Sequence, residues 1–232
     1  MPPEMYFKDQ GLLALTSDAS IDFTPPDFDS PLTEVQQTYL RKYGGVNVPQ
    51  VFWRKQVHGD DILVANGVAG EVKACPDADA YITDKKDLPI AIRTADCVPV
   101  FIFDPVHKAI GLVHAGWKGT HKLIAAKTVQ RMREKYSSQP SDLKIVLGPS
   151  IRDCCYQVGE EFQDYFPSYV KMKEGHLYLD VVAANRGQLL QAGVRPENIF
   201  DSGICTSCHK NYFSFRRDGA KAGRMISLMM LI

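Results

Sequence analysis

The stretch that decides the fold is VPVFIFDPVHKAIGLVHA, Val98 to Ala115. Its two apolar runs, VPVFIFD (Val98–Asp104) and AIGLVHA (Ala109–Ala115), are joined by the short turn DPVHK. Together they read as a β-hairpin. A half-buried strand alternates apolar and polar residues. These runs are apolar at nearly every position, so both faces of the hairpin are expected to be covered.

Working outward, QVFWRKQV (Gln50–Val57), ILVA (Ile62–Ala65), DAYIT (Asp79–Thr83) and IAIRT (Ile90–Thr94) carry strand signals on the N-terminal side. On the other side, Ile124, Thr128, Val129, Met132 and Tyr136 keep helical spacing, which predicts one helix over Thr120–Tyr136. LKIVLG (Leu143–Gly148) reads as a strand, and Asp180 can cap a helix ending near Gly193. Nearer the start, Ser30 can cap a helix with Pro31 in its first position. Leu32, Val35, Tyr39, Leu40 and Tyr43 share one face of it, and Gly44 is placed to end it. The terminal MISLMMLI (Met225–Ile232) is too short to span a bilayer and is expected as a buried strand. Strands in succession and then interleaved helices argue against a regular βαβ repeat. The expected class is α+β (mixed α/β), with mixed β-sheets packed together and flanked by helices. One domain is expected over residues 1–232, with the loop TPPDFDSP (Thr24–Pro31) setting off the segment 1–31.

Composition removes several classes of function. The 232 residues are 45% hydrophobic and 23% charged, ordinary globular values that exclude general disorder. Lys+Arg and Asp+Glu both number 27, so there is no net field to attract nucleic acid or an anionic membrane. Neutrality also permits self-association, and a monomer or a homodimer is expected. MPPEMYFKDQ lacks the basic and apolar regions of a signal peptide, so a cytoplasmic protein with reduced thiols is expected. GxGxxG, P-loop, GxSxG and HExxH motifs are all missing from the sequence.

Chemistry is expected among the six Cys and six His. His58 in QVHGD, Cys97 in TADCVP and His114 in VHAGWKGT each sit where an expected strand starts or stops. Such ends can converge on one rim of a sheet, and glycines at 59 and 116 would let backbone approach closely. Two imidazoles and a thiolate suit tetrahedral Zn2+ with a fourth position open for water or substrate; Cu2+ accepts the same set. A Cys–His hydrolase, with Cys97 as nucleophile and His114 as base, uses the same residues without a metal. CTSCH (Cys205–His209) matches the c-haem attachment pattern, which needs an exported protein. Cys154 and Cys155 could join Cys205 and Cys208 in a four-thiolate site, but the spacing fits no common zinc ribbon, and buried free thiols are expected. Cys75 reads as a loop residue, and His107, His121 and His176 as surface residues.

KQVHGD, DADAYIT, TADCVPVFIFDP, GLVHAGWKGT, LGPSIRDCCYQVG and the later CT, YFSFRRDG and GR occur in one order over Gln50–Arg224. This set resembles the laccase-domain family, long labelled polyphenol oxidases. Its members are described as zinc-dependent purine nucleoside phosphorylases with accessory adenosine deaminase activity. The resemblance implies that His58, Cys97 and His114 are metal ligands and that purine nucleosides and phosphate are substrates. A copper phenol oxidase, the older family name, would need more histidines than the six present. The family's HGF-type strand and TRxGG loop are replaced by GLLALTSDASIDF, which points to altered specificity, lower activity or another way of closing the pocket; a non-catalytic binding protein is the further alternative.

Further site candidates follow from position. Lys118 precedes the helix expected near residue 120, where free N–H groups attract phosphate. Lys118 stands where many family members have Arg, which keeps the charge and loses the bidentate geometry. Arg216 and Arg217 in FSFRRDG are candidates for holding phosphate or ribose. Gln56, two residues before His58, either contacts substrate or completes a strand. Asp96 either orients a ligand imidazole or caps a turn.

Overall fold

The computed structural model describes residues 3–7, 10–24, 30–45, 51–67 and 77–232. Gln50, Cys75 and the centre of the TPPDFDSP loop, residues 25–29, lie outside them. The first part of the described chain holds β1 (Glu4–Met5), β2 (Leu12–Thr16), α1 (Glu34–Gly44), β3 (Ile62–Val64) and β4 (Ala80–Thr83). The middle holds β5 (Ile90–Thr94), β6 (Val98–Asp104), β7 (Ala109–Ala115), α2 (Trp117–His121), α3 (Ile124–Tyr136) and β8 (Lys144–Leu147). Then come β9 (Gln157–Val158), α4 (Phe162–Tyr165), β10 (Val170–Lys173), β11 (His176–Leu179) and α5 (Val181–Gln191). Strand β12 (Ile199–Asp201), α6 (Phe215–Asp218) and β13 (Met225–Leu231) complete it.

The expected hairpin is the centre of a six-stranded sheet with order β12-β8-β6-β7-β4-β3. Its β6 and β7 are antiparallel, whereas β3–β4 and β8–β12 are parallel pairs, so the sheet is mixed. A four-stranded antiparallel sheet, β1-β2-β13-β5, packs against one face, and β10-β11-β9 form a small third sheet.

Alternation of side chains explains why both runs are apolar throughout. Val98, Val100 and Ile102 point to the face covered by α3 and α5, where they meet Ile124, Val129, Met132 and Leu189. Phe101 and Phe103 point the other way and meet Ile90, Ile92, Met229 and Leu231 of the four-stranded sheet. That sheet is covered in turn by Tyr39 and Leu40 of α1, packed on Ile226, Leu228 and Met230. The layers therefore run helix, sheet, sheet, helix, and every residue of β6, β7 and β13 is buried.

Three expectations change in detail. Helix α1 starts at Glu34, because Thr33 and Gln36 form a reciprocal capping box, and it stops at left-handed Gly45 instead of Gly44. The helix expected over 120–136 is two helices, broken where Leu123 adopts a left-handed backbone at φ 66°. Residues 51–57 form no regular strand; Phe52 makes a single bridge to Ile90, and further along the Gln56 side-chain amide takes over. Its Nε2 donates to the Arg93 carbonyl and its Oε1 accepts from the Arg93 N–H, both at 2.8 Å.

Candidate metal centre and its cavity

His58, Cys97 and His114 come from three places and meet. Cys97 lies on the loop between β5 and β6, His114 is the sixth residue of β7, and His58 follows the irregular segment after Phe52. Their ligand atoms lie within 4.8 Å of one another, and the two imidazole rings are 4.9 Å apart between centres. His114 is buried, whereas Cys97 is half-buried and His58 exposed, so the cluster opens on one side.

One carboxylate assembles two of the three. Asp79, fully buried at the start of β4, accepts the His114 Nδ1–H at 2.7 Å through Oδ1. The same carboxylate accepts the backbone N–H groups of Val57, His58 and Gly59 at 3.1, 3.0 and 2.7 Å. These bonds stabilise the turn in which His58 adopts φ 58°, and they leave His114 Nε2 for a ligand. Burial opposes charge on Asp79, but the His114 imidazole and the amides of Gly59 and Val57 hold its carboxyl below the ordinary range. The Cys97 thiol is likewise held low: burial would raise it, and the His114 and His58 imidazoles overcome that. For His114 burial works downward, while Cys97 and Asp79 raise it. A methyl group on Gly116 would stand 2.9 Å from His58 Cδ2 and 3.0 Å from Cys97 Sγ, so the centre needs glycine there.

Asp96 requires a correction. The carboxylate on the His114 imidazole is Asp79; Asp96 instead accepts the Thr206 hydroxyl at 2.7 Å and the Arg216 N–H at 2.6 Å. Those bonds hold Asp96 at φ 94° and so aim the adjacent Cys97.

The open side faces a cavity of about 840 Å³, within the range of small-molecule sites. Its lining includes the three cluster residues, Asp96 and Gln56, with Trp117, Tyr156 and Phe215 as aromatic walls. Arg93, Arg216 and Arg224 also line it, and Arg216 stacks on Tyr156 at 5.3 Å. Lys118 and Arg217 are not among the lining residues. Lys118 is exposed on α2, with Nζ 5.5 Å from the Trp117 ring. Arg217 is occupied by the carbonyls of Thr206 and Tyr212 and the carboxylate of Asp218. Arg93 and Arg224 were missed by the sequence reading; a lone arginine inside the apolar IAIRT was the available signal for the first.

The model of a family described as multi-copper polyphenol oxidoreductase laccase matches residues 27–232. The chain belongs to this laccase family. A curated relative, a purine nucleoside phosphorylase of Clostridium acetobutylicum, is 37% identical over 190 residues, which cover 79% of this chain and 78% of that protein. The crystal structure of YlmD from Geobacillus stearothermophilus is similar at a TM-score of 0.84 and 29% identity, over 95% of this chain and 92% of that one. That of hypothetical protein YfiH from Bacillus licheniformis is similar at 0.82 and 29%, over 100% and 97%. The laccase-family match contains all three cluster residues, Asp79 and the three cavity arginines.

The four remaining described thiols are free, as expected, but of them only Cys205 is buried. Cys154, Cys155, Cys205 and Cys208 converge at a second place, with Cys154 and Cys208 exposed. No helix among the described residues is long and apolar enough to cross a membrane.

Proposed function

We propose that this protein is a metal-dependent purine nucleoside phosphorylase with adenosine deaminase as a side activity. The observation that carries the reading is a three-ligand cluster at one end of a cavity that also presents three arginines and three aromatic walls. Relatives with the phosphorylase name support it. Two imidazoles, one thiol and the cradle at Gly116 fit Zn2+, and Cu2+ accepts the same donors. Bound by His58, Cys97 and His114, the ion would supply Lewis acidity towards an oxygen or nitrogen of the substrate.

The chain's own residues account for the rest. Arg93, Arg216 and Arg224 hold the phosphate, and Tyr156, Phe215 and Trp117 offer faces for the base. A phosphate oxygen bonds to the anomeric carbon as the bond from that carbon to the purine nitrogen breaks. The electron pair leaves with the base, which takes up a proton, and ribose 1-phosphate remains. Asp79 keeps the proton on His114 Nδ1 throughout.

The test is release of base from inosine, guanosine and adenosine by metal-loaded protein, with and without phosphate. Phosphate-dependent release with ribose 1-phosphate is expected, together with some ammonia from adenosine. Failure to cleave any of the three would overturn the reading. A second reading, a hydrolase with Cys97 as nucleophile, draws on the lowered Cys97 thiol beside His114. It predicts inactivation by iodoacetamide in metal-loaded protein, whereas a coordinated thiolate resists alkylation.

A further inference from the structure

The second thiol cluster lies on two turns far apart in sequence. One turn carries Cys154 and Cys155, where the Arg152 carbonyl accepts the N–H of Cys155 at 2.9 Å. The other carries Cys205 and Cys208, where the Cys205 carbonyl accepts the N–H of His209 at 3.1 Å. A bridge between Ser150 and Cys205 ties the turns, with Ser150 N–H donating to Ile204 and Thr206 N–H to Ser150. Arg152 adds a bond of 2.7 Å to the Asp201 carboxylate and one to the Ile204 carbonyl. Backbone bonds that involve no sulfur therefore bring the four thiols together.

The spacing of the sulfurs matches a metal and not a disulfide. Sγ of Cys208 is 3.6 Å from that of Cys154 and 3.3 Å from that of Cys155, and all four sulfurs lie within 4.8 Å of one another. A tetrahedron with Zn–S bonds of about 2.3 Å has edges of about 3.8 Å. A disulfide needs about 2.05 Å.

We propose that Cys154, Cys155, Cys205 and Cys208 form a second, four-thiolate zinc site that is structural, separate from the cluster of His58, Cys97 and His114. Four protein ligands leave no open position, which is the pattern of a metal that holds structure. What it holds is one wall of the cavity. Thr206, next to Cys205, donates to Asp96 beside Cys97, and Tyr156, next to Cys155, lines the cavity. Zinc here pins that wall from behind and touches no substrate.

The test uses the full chain, stripped with chelator under reducing conditions, reloaded with zinc alone and desalted. Wild type should hold about two equivalents and Cys97→Ala about one, with Cys97→Ala combined with Cys208→Ser close to none. Because Cys97→Ala removes the first centre, this count stands whatever becomes of the phosphorylase reading. Wild-type protein gives a measurement that needs no variant: zinc should protect Cys154 and Cys208 from alkylation by iodoacetamide, read by peptide mass. Cobalt bound to Cys97→Ala should show the strong charge-transfer bands of a four-sulfur tetrahedral site. The proposal is overturned if folded Cys97→Ala binds no zinc, or if its zinc survives Cys208→Ser. It is equally overturned by a disulfide among these four cysteines in the zinc-loaded protein.

Discussion

Asp79 does the work of several residues: its two oxygens accept three backbone N–H groups and one imidazole N–H. Asp79→Asn keeps the size of the group and removes the charge and one acceptor. Zinc affinity at His58, Cys97 and His114 should fall about 10- to 100-fold, measured by competition with a chromogenic chelator. An unchanged affinity would show that the carboxylate does not set the site. Asp79 also marks the limit of what the sequence disclosed. His58, Cys97 and His114 stood out because each sits at the end of an expected strand within a recognisable motif. Asp79 looked like the polar start of the strand DAYIT, and its partners lie 20 to 35 residues away in both directions. Asp96, adjacent to Cys97, was the more visible carboxylate, but its bonds run to Thr206 and Arg216, a side of the site that sequence proximity does not show.

At the scale of elements, the hairpin was legible because its apolar runs admit only one placement, between two covered faces. Its turn rests on Asp104, which is fully buried. The Asp104 carboxylate accepts the N–H groups of Val106 and His107 at 2.8 and 3.0 Å and meets His107 Nδ1 at 2.9 Å. Burial opposes its charge, but the Ser138 hydroxyl alongside, these amides and the imidazole keep its carboxyl below the ordinary carboxylate range. A carboxyl lowered on folding stabilises the protein above its unfolded pKa of about 4, and that stabilisation is lost as pH falls through the folded value. Urea denaturation should therefore show acid sensitivity below about pH 4 that Asp104→Asn diminishes, while the variant costs about 1–3 kcal/mol at neutral pH. The segment 51–57 was the harder one. Its strand-like residues are real, but its pairing with β5 at Arg93 runs through the Gln56 side chain, which no period-two pattern encodes. Gln56→Ala should cost about 1–3 kcal/mol in the same assay, because the buried Arg93 backbone loses both partners.

Over the whole molecule, equal numbers of cationic and anionic residues leave no general field, so any anion must be held locally. In the proposed reading that hold comes from Arg93, Arg216 and Arg224, which line the cavity from β5, α6 and the approach to β13. Arg224→Ala should raise KM for phosphate by about 10-fold or more with a smaller change in kcat, as expected for removal of one charged hydrogen-bonding partner. Initial rates across a phosphate series would measure it, and an unchanged KM would remove Arg224 from the phosphate site. The order of layers was not legible, since which strand pairs with which depends on partners far apart in the chain. β13 lies between β2 and β5, and the buried hydroxyls of Thr16 and Ser227 meet at 2.9 Å across 211 positions. That pairing has a kinetic meaning. Closing so long a loop costs entropy before any contact repays it. During synthesis β2 has only the two-residue β1 to pair with until almost all of the chain described here has left the ribosome. The hairpin and its helices can collapse early, but the second sheet is completed only when β13 joins β2 to β5.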